Sequence, residues 1–98
     1  MYQIEWTEYS KDYYEKLDGS QKVFVDKALD RIKLHGINSG EPLRGNLVDC
    51  NRLKNKRLGL RVIFRKVQNK VEVIQIVAVG KRSNKDAYNT ASARLRNE

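Results

Sequence analysis

Leu58-Gly59-Leu60-Arg61-Val62-Ile63-Phe64-Arg65-Lys66, followed after a short polar break by Val71-Glu72-Val73-Ile74-Gln75-Ile76-Val77-Ala78-Val79, decides the fold of this chain. In the first run apolar and other residues alternate, the period of a strand with two different faces. The second run is almost wholly apolar or β-branched, as expected of a central strand covered on both sides. Gln68-Asn69-Lys70 supplies the turn between them. Val48 to Lys54, just upstream, is a weaker strand candidate. Three strands with such short links pair antiparallel, as a meander.

Outward from this core the pattern changes. Tyr2, Ile4 and Trp6 alternate with Gln3 and Glu5, which predicts an N-terminal strand. Thr7 or Ser10 can cap a helix running to about Leu17. Asp18-Gly19-Ser20 is a turn, and Ser20 can cap a second helix to about Leu34. Phe24, Val25, Ala28, Leu29 and Ile32 give that helix its apolar stripe. Two helices so closely joined form a helical hairpin, which Gly36 to Gly40 ends and Pro42 keeps from restarting. After Gly80 a last helix is expected, capped by Ser83 or Asn84, with Ala87, Ala91 and Leu95 at four-residue spacing. The class is α+β: strand, helical hairpin, three-stranded antiparallel meander, C-terminal helix. At 98 residues the chain suits one small domain. The helical hairpin is expected on one face of the sheet, with basic residues on the other.

Charge is segregated. Residues 1–43 hold six Lys/Arg against eight Asp/Glu, and residues 44–98 hold fourteen against four, so the whole excess of +8 lies in the second half. That distribution calls for a polyanionic partner, nucleic acid first, a membrane surface second and an acidic protein third, with a merely solubilising surface as the alternative. No long apolar run or basic leader occurs, so the expected location is the cytoplasm, with no membrane partner. Cys50 is the single cysteine. It has no disulfide partner within the chain and no companions for a Cys-based metal site, and no cofactor or metal is expected.

A hairpin centred near Lys56-Arg57-Leu58 sets Leu53 across from Val62, Lys54 from Arg61 and Arg52 from Ile63. Alternation then puts Leu53, Leu60, Val62 and Phe64 on the core face and Arg52, Lys54 and Arg61 together on the other. Like charges across a sheet cost roughly 0.2–1 kcal/mol per pair. An anion seated between them removes that cost; long side chains splaying into solvent are the alternative. A slip of one residue would undo the cluster. Gly80-Lys81-Arg82 and Tyr88 follow the central strand, and Arg82 and Tyr88 can join the group. Tyr88 could equally pack its ring on the sheet.

Leu43-Arg44-Gly45, Asn51-Arg52-Leu53-Lys54, Gly59-Leu60-Arg61-Val62-Ile63-Phe64 and Gly80-Lys81-Arg82 with Tyr88 resemble the bacterial RelE toxins of the RelE/ParE superfamily, over essentially the whole chain. The resemblance implies one RelE-like toxin domain over residues 1–98. It further implies a type II toxin–antitoxin toxin that enters the ribosomal A site and cuts mRNA without metal, through attack of the ribose 2′-OH on the adjacent phosphate. The site residues it implies are Arg52, Lys54, Arg61, Arg82 and Tyr88. The partners it implies are the ribosome and mRNA, a cognate acidic RelB-like antitoxin and, for the toxin–antitoxin complex, operator DNA. Arg52 departs from the family pattern, which has Lys there; a guanidinium holds phosphate but does not share a proton.

His35 is the only histidine, so a two-histidine mechanism is excluded. Lys54 is the candidate base, crowded by cations that would favour its neutral amine. Arg61 and Arg82 are the candidate charge stabilisers, and Tyr88 the candidate for orienting the nucleotide. No residue stands out as the acid. Arg44, Lys56, Arg57, Arg65, Lys66 and Lys81 are read as RNA or ribosome contacts, with a solvated surface as the alternative for each. Two further functions fit this fold: a ParE-like toxin that inhibits DNA gyrase without cutting RNA, and an inactive RNA-binding relative.

Overall fold

A computed structural model of the chain describes residues 1–47, 49–67, 70 and 72–81. The elements are β1 (Gln3–Trp6), α1 (Glu8–Glu15), α2 (Gly19–His35), a 3-10 turn (Gly36–Ser39), β2 (Glu41–Pro42), a second 3-10 turn (Gly45–Leu47), β3 (Cys50–Asn55), β4 (Leu60–Lys66) and β5 (Val73–Lys81). The expected C-terminal helix falls on residues 82–98, outside the described residues.

The strands form one mixed sheet in the order β1-β5-β4-β3-β2. β3, β4 and β5 are the antiparallel meander. β1 lies parallel to β5, with Ile4 against Ile74 and Trp6 against Ile76. This makes β5 central, as its apolar composition predicts. β2, a two-residue strand paired to Arg52 and Asn51, was not anticipated. Proline lacks a ladder donor, and Pro42 is tolerated here because β2 is an edge strand.

Local chemistry sets the helices. Thr7 caps α1, its side chain accepting from the Ser10 backbone N–H. Ser10 is buried and donates its hydroxyl to the Ile76 carbonyl at 2.8 Å, tying α1 to the central strand. α2 begins two residues earlier than expected. Asp18, not Ser20, is its cap, and Asp18 with Gln21 forms a full capping box. The Ser20 hydroxyl instead donates to the Asp18 carboxylate at 3.0 Å. A carboxylate suits this end of the helix because it also meets the positive end of the dipole. Gly36, at φ 62, ends α2.

Val25, Ala28 and Ile32 of α2 are buried against Leu53, Val62, Phe64, Ile74, Ile76 and Val79, with Trp6, Tyr13, Tyr14 and Phe24 around them. The opposite face carries the expected basic residues Arg52, Lys54 and Arg61, and an apolar cluster besides. That second cluster is Leu47, Cys50, Ile63, Val77 and Ala78, with Leu43 against it. A register shift makes this possible. Ile63 pairs with Ala78 but Phe64 pairs with Ile76, leaving Val77 as the extra residue of a bulge. Val77 and Ala78 therefore both serve the second cluster while Ile76 and Val79 serve the first.

Candidate functional site

β3 and β4 pair in the register read from the hairpin: Leu53 with Val62, Lys54 with Arg61, Arg52 with Ile63. Leu53 and Val62 are buried under α2, so alternation turns Arg52, Lys54 and Arg61 to the opposite face. Arg61 is the deepest of the three, only 2% exposed, and its Nη1 donates to the Leu60 carbonyl at 3.3 Å. Arg52 and Lys54 keep about a quarter of their side chains in solvent. A buried guanidinium is held in one orientation, while the two partly exposed cations can move toward a ligand.

An anion sits among these cations, and it belongs to the chain itself. β2 places Glu41 directly across from Arg52. Glu41 Oε2 lies 3.1 Å from Arg52 Nη2, and Oε1 lies 3.8 Å from Lys54 Nζ. The hydrogen bond from Arg52 first, then the charge of Lys54, holds the Glu41 carboxyl below the usual glutamate range. Like-charge crowding on this face is thus partly relieved by a carboxylate. Sequence reasoning missed Glu41 because it stands in the Gly-Pro segment read only as a helix stop. The available signal was Pro42, a residue that within a sheet is confined to edge strands, strand starts and bulges.

The other sequence-predicted residues are spread out. Gly80 pairs with Arg61 and Lys81 with Leu60, so the Gly80-Lys81-Arg82 run begins beside the cluster. Arg82 and Tyr88 themselves lie outside the described residues. Lys56 and Arg57 are exposed at the β3–β4 turn, and Arg44 and Lys66 are exposed elsewhere. Arg65 stands at the far end of the same face, donating Nε to Gln75 Oε1 at 2.9 Å. Gln75 and Lys70 in turn approach Glu5. The apolar cluster separates this row from Arg52 and Lys54.

A RelE-like toxin protein of Escherichia coli is 34% identical to this chain over 96 residues, which is 97% of this chain and 98% of that one. The chain belongs to the RelE-like toxin family. No family model matches it. Two solved structures carry the fold of this RelE-like chain. A mutant of E. coli toxin RelE in the free state has a TM-score of 0.79 at 24% identity, covering 95% of this chain and 96% of that one. RelE in the intact E. coli RelBE toxin–antitoxin complex has a TM-score of 0.71 at 26% identity, covering 83% and 96%. Among the described residues of this RelE-like chain, no helix is long and apolar enough to cross a membrane.

Proposed function

We propose that this RelE-like chain is a ribosome-dependent endoribonuclease of the cytoplasm, cutting mRNA in the A site by metal-independent attack of the ribose 2′-OH on the neighbouring phosphate. The observation that carries the reading is the β3–β4 register, which sets Arg52, Lys54 and Arg61 on one face of a family member. Arg61, held rigid by burial, stabilises the charge that develops on the phosphate. Arg52 grips the same phosphate through its planar fork. Lys54 is the proton acceptor, with Arg82 completing the anion site and Tyr88 orienting the nucleotide. Glu41 occupies the place of an anion beside Arg52 and Lys54, so an arriving phosphate competes with it. Among the described residues no three His, Cys, Asp or Glu side chains are grouped to hold a metal. Positioning by the ribosome supplies rate that this cluster lacks alone.

Arg44, Lys56, Arg57, Arg65, Lys66 and Lys81 serve as RNA and ribosome contacts in this reading. The partner that restrains the toxin is an acidic RelB-like antitoxin, as the likeness to RelE of the RelBE complex suggests, and the pair binds operator DNA. The test is a cell-free translation reaction with mRNA ends mapped by primer extension. Wild type should break mRNA within ribosome-bound codons, and a folded Lys54→Ala/Arg61→Ala variant should not. A folded wild type that leaves mRNA whole would overturn the proposal. Gyrase supercoiling would then be the next assay.

A further inference from the structure

β2 pairs with β3 only at Asn51 and Arg52, so its cover stops just before Leu53 and Lys54. Between that end of β3 and α2 lies a cleft of about 230 Å³, lined by Phe24, Lys27, Ala28, Arg31, Leu53 and Lys54. Its apolar part is Phe24, Ala28 and Leu53. Its cations are Lys27 and Arg31. The helical residues stand at i, i+3, i+4 and i+7, a single stripe of α2. Lys27 and Arg31, four apart and both exposed, are a like-charge pair that weakens an isolated helix by a few tenths of a kcal/mol. Asp26, beside Lys27 in sequence, accepts the Tyr14 hydroxyl at 2.7 Å. Lys54 stands on β3 beyond the residues that β2 pairs: it borders the cleft on the α2 side, while its amine reaches Glu41 on the opposite face.

An aromatic ring beside cations is the combination that single-stranded nucleic acid uses, stacking on the ring and phosphate on the charges. The cleft is smaller than the ~300–1,000 Å³ of drug-sized pockets, a size for one flat group rather than a large ligand. We propose that this cleft binds the RNA nucleotide next to the cleaved bond, its base against Phe24 and its phosphate held by Lys27 and Arg31. This rests on the ribonuclease reading above, since continuity through Lys54 joins the cleft to the proposed site of cleavage.

The test measures binding of a fluorescent single-stranded oligouridylate by anisotropy across a salt series, with thermal melts as the check on folding. Lys27→Gln/Arg31→Gln should flatten the log–log salt slope by about 0.7, the loss of the one phosphate that both hold. Phe24→Leu, which keeps apolar volume, should weaken binding by about 5- to 150-fold, the loss of one stacked base. Unchanged slope and affinity in both folded variants would overturn the proposal, as would a wild type that binds no oligonucleotide at low salt. Loss of acidic-peptide binding with RNA binding intact would overturn it too, assigning the cleft to a protein partner. The ribonuclease reading fails separately, on absence of ribosomal cleavage by a wild type whose RNA binding depends on these residues.

Discussion

Glu41 stands across the β2–β3 ladder from Arg52, its carboxylate 3.1 Å from that guanidinium and 3.8 Å from the Lys54 amine. Its pKa is lowered in the folded chain, chiefly by the Arg52 hydrogen bond. A lowered carboxyl contributes stability above its unfolded pKa and loses it as pH falls through the folded one. The contact should therefore persist at neutral pH and break in acid, below the ordinary glutamate titration. Carboxyl-carbon NMR should show a Glu41 midpoint below ~4.3. Arg52→Gln should raise it more than Lys54→Gln does. Equal midpoints in all three proteins would contradict the contact.

The same contact bears on RNA. Glu41→Gln removes the charge that competes with phosphate at Arg52 and Lys54. We expect tighter binding to single-stranded RNA at low salt, and a steeper salt dependence, because two cations are freed for phosphate. Weaker binding would mean that Glu41 helps to hold RNA rather than to exclude it.

Lys54→Arg separates charge from proton transfer. A guanidinium keeps the positive charge but does not deprotonate near neutrality. If Lys54 is the base, the variant should bind programmed ribosomes within a few-fold of wild type. Single-turnover cleavage should fall by about 10²–10⁴, the usual contribution of a positioned acid or base. Retained cleavage would reduce Lys54 to an electrostatic role.

Gly40 positions Glu41. A Cβ there would stand 2.8 Å from the Arg52 carbonyl carbon and 3.1 Å from Phe64 Cζ, and the first neighbour is backbone that cannot swing away. Gly40→Ala should destabilise the fold by about 1–3 kcal/mol, as overpacking does, read from the urea midpoint. It should also raise the Glu41 titration toward the ordinary value, because β2 must move from β3.

Asp18 and Ser20 make a paired test of the α2 cap. Asp18→Ala should cost about 0.5–2 kcal/mol, the usual loss of a cap. Ser20→Ala should stay within about 0.5 kcal/mol, the range of most surface changes. The reverse order in denaturant melts would return the cap to Ser20.

Strand periodicity and charge segregation were legible in the chain because each depends on neighbours in sequence, while the cap of α2 was misread as Ser20 where Asp18 holds it. Alternation in residues 58–66 set the faces of β4, and the turn length set its register against β3, so Arg52, Lys54 and Arg61 could be grouped from sequence alone. The apolar run of β5 announced a central strand. None of this required knowledge of distant contacts, since period and turn geometry are local properties.

Tertiary structure decided what lies beside those elements. The parallel docking of β1 on β5, the bulge at Val77, and the cleft between α2 and β3 join residues dozens of positions apart, and nothing local specifies them. Glu41 is the clearest instance. In sequence it is an acidic residue between a glycine and a proline. Across the sheet it becomes the carboxylate shared by two cations, because a two-residue edge strand brings its side chain onto the basic face. Charge composition foretold the cations, while the fold alone placed an anion among them.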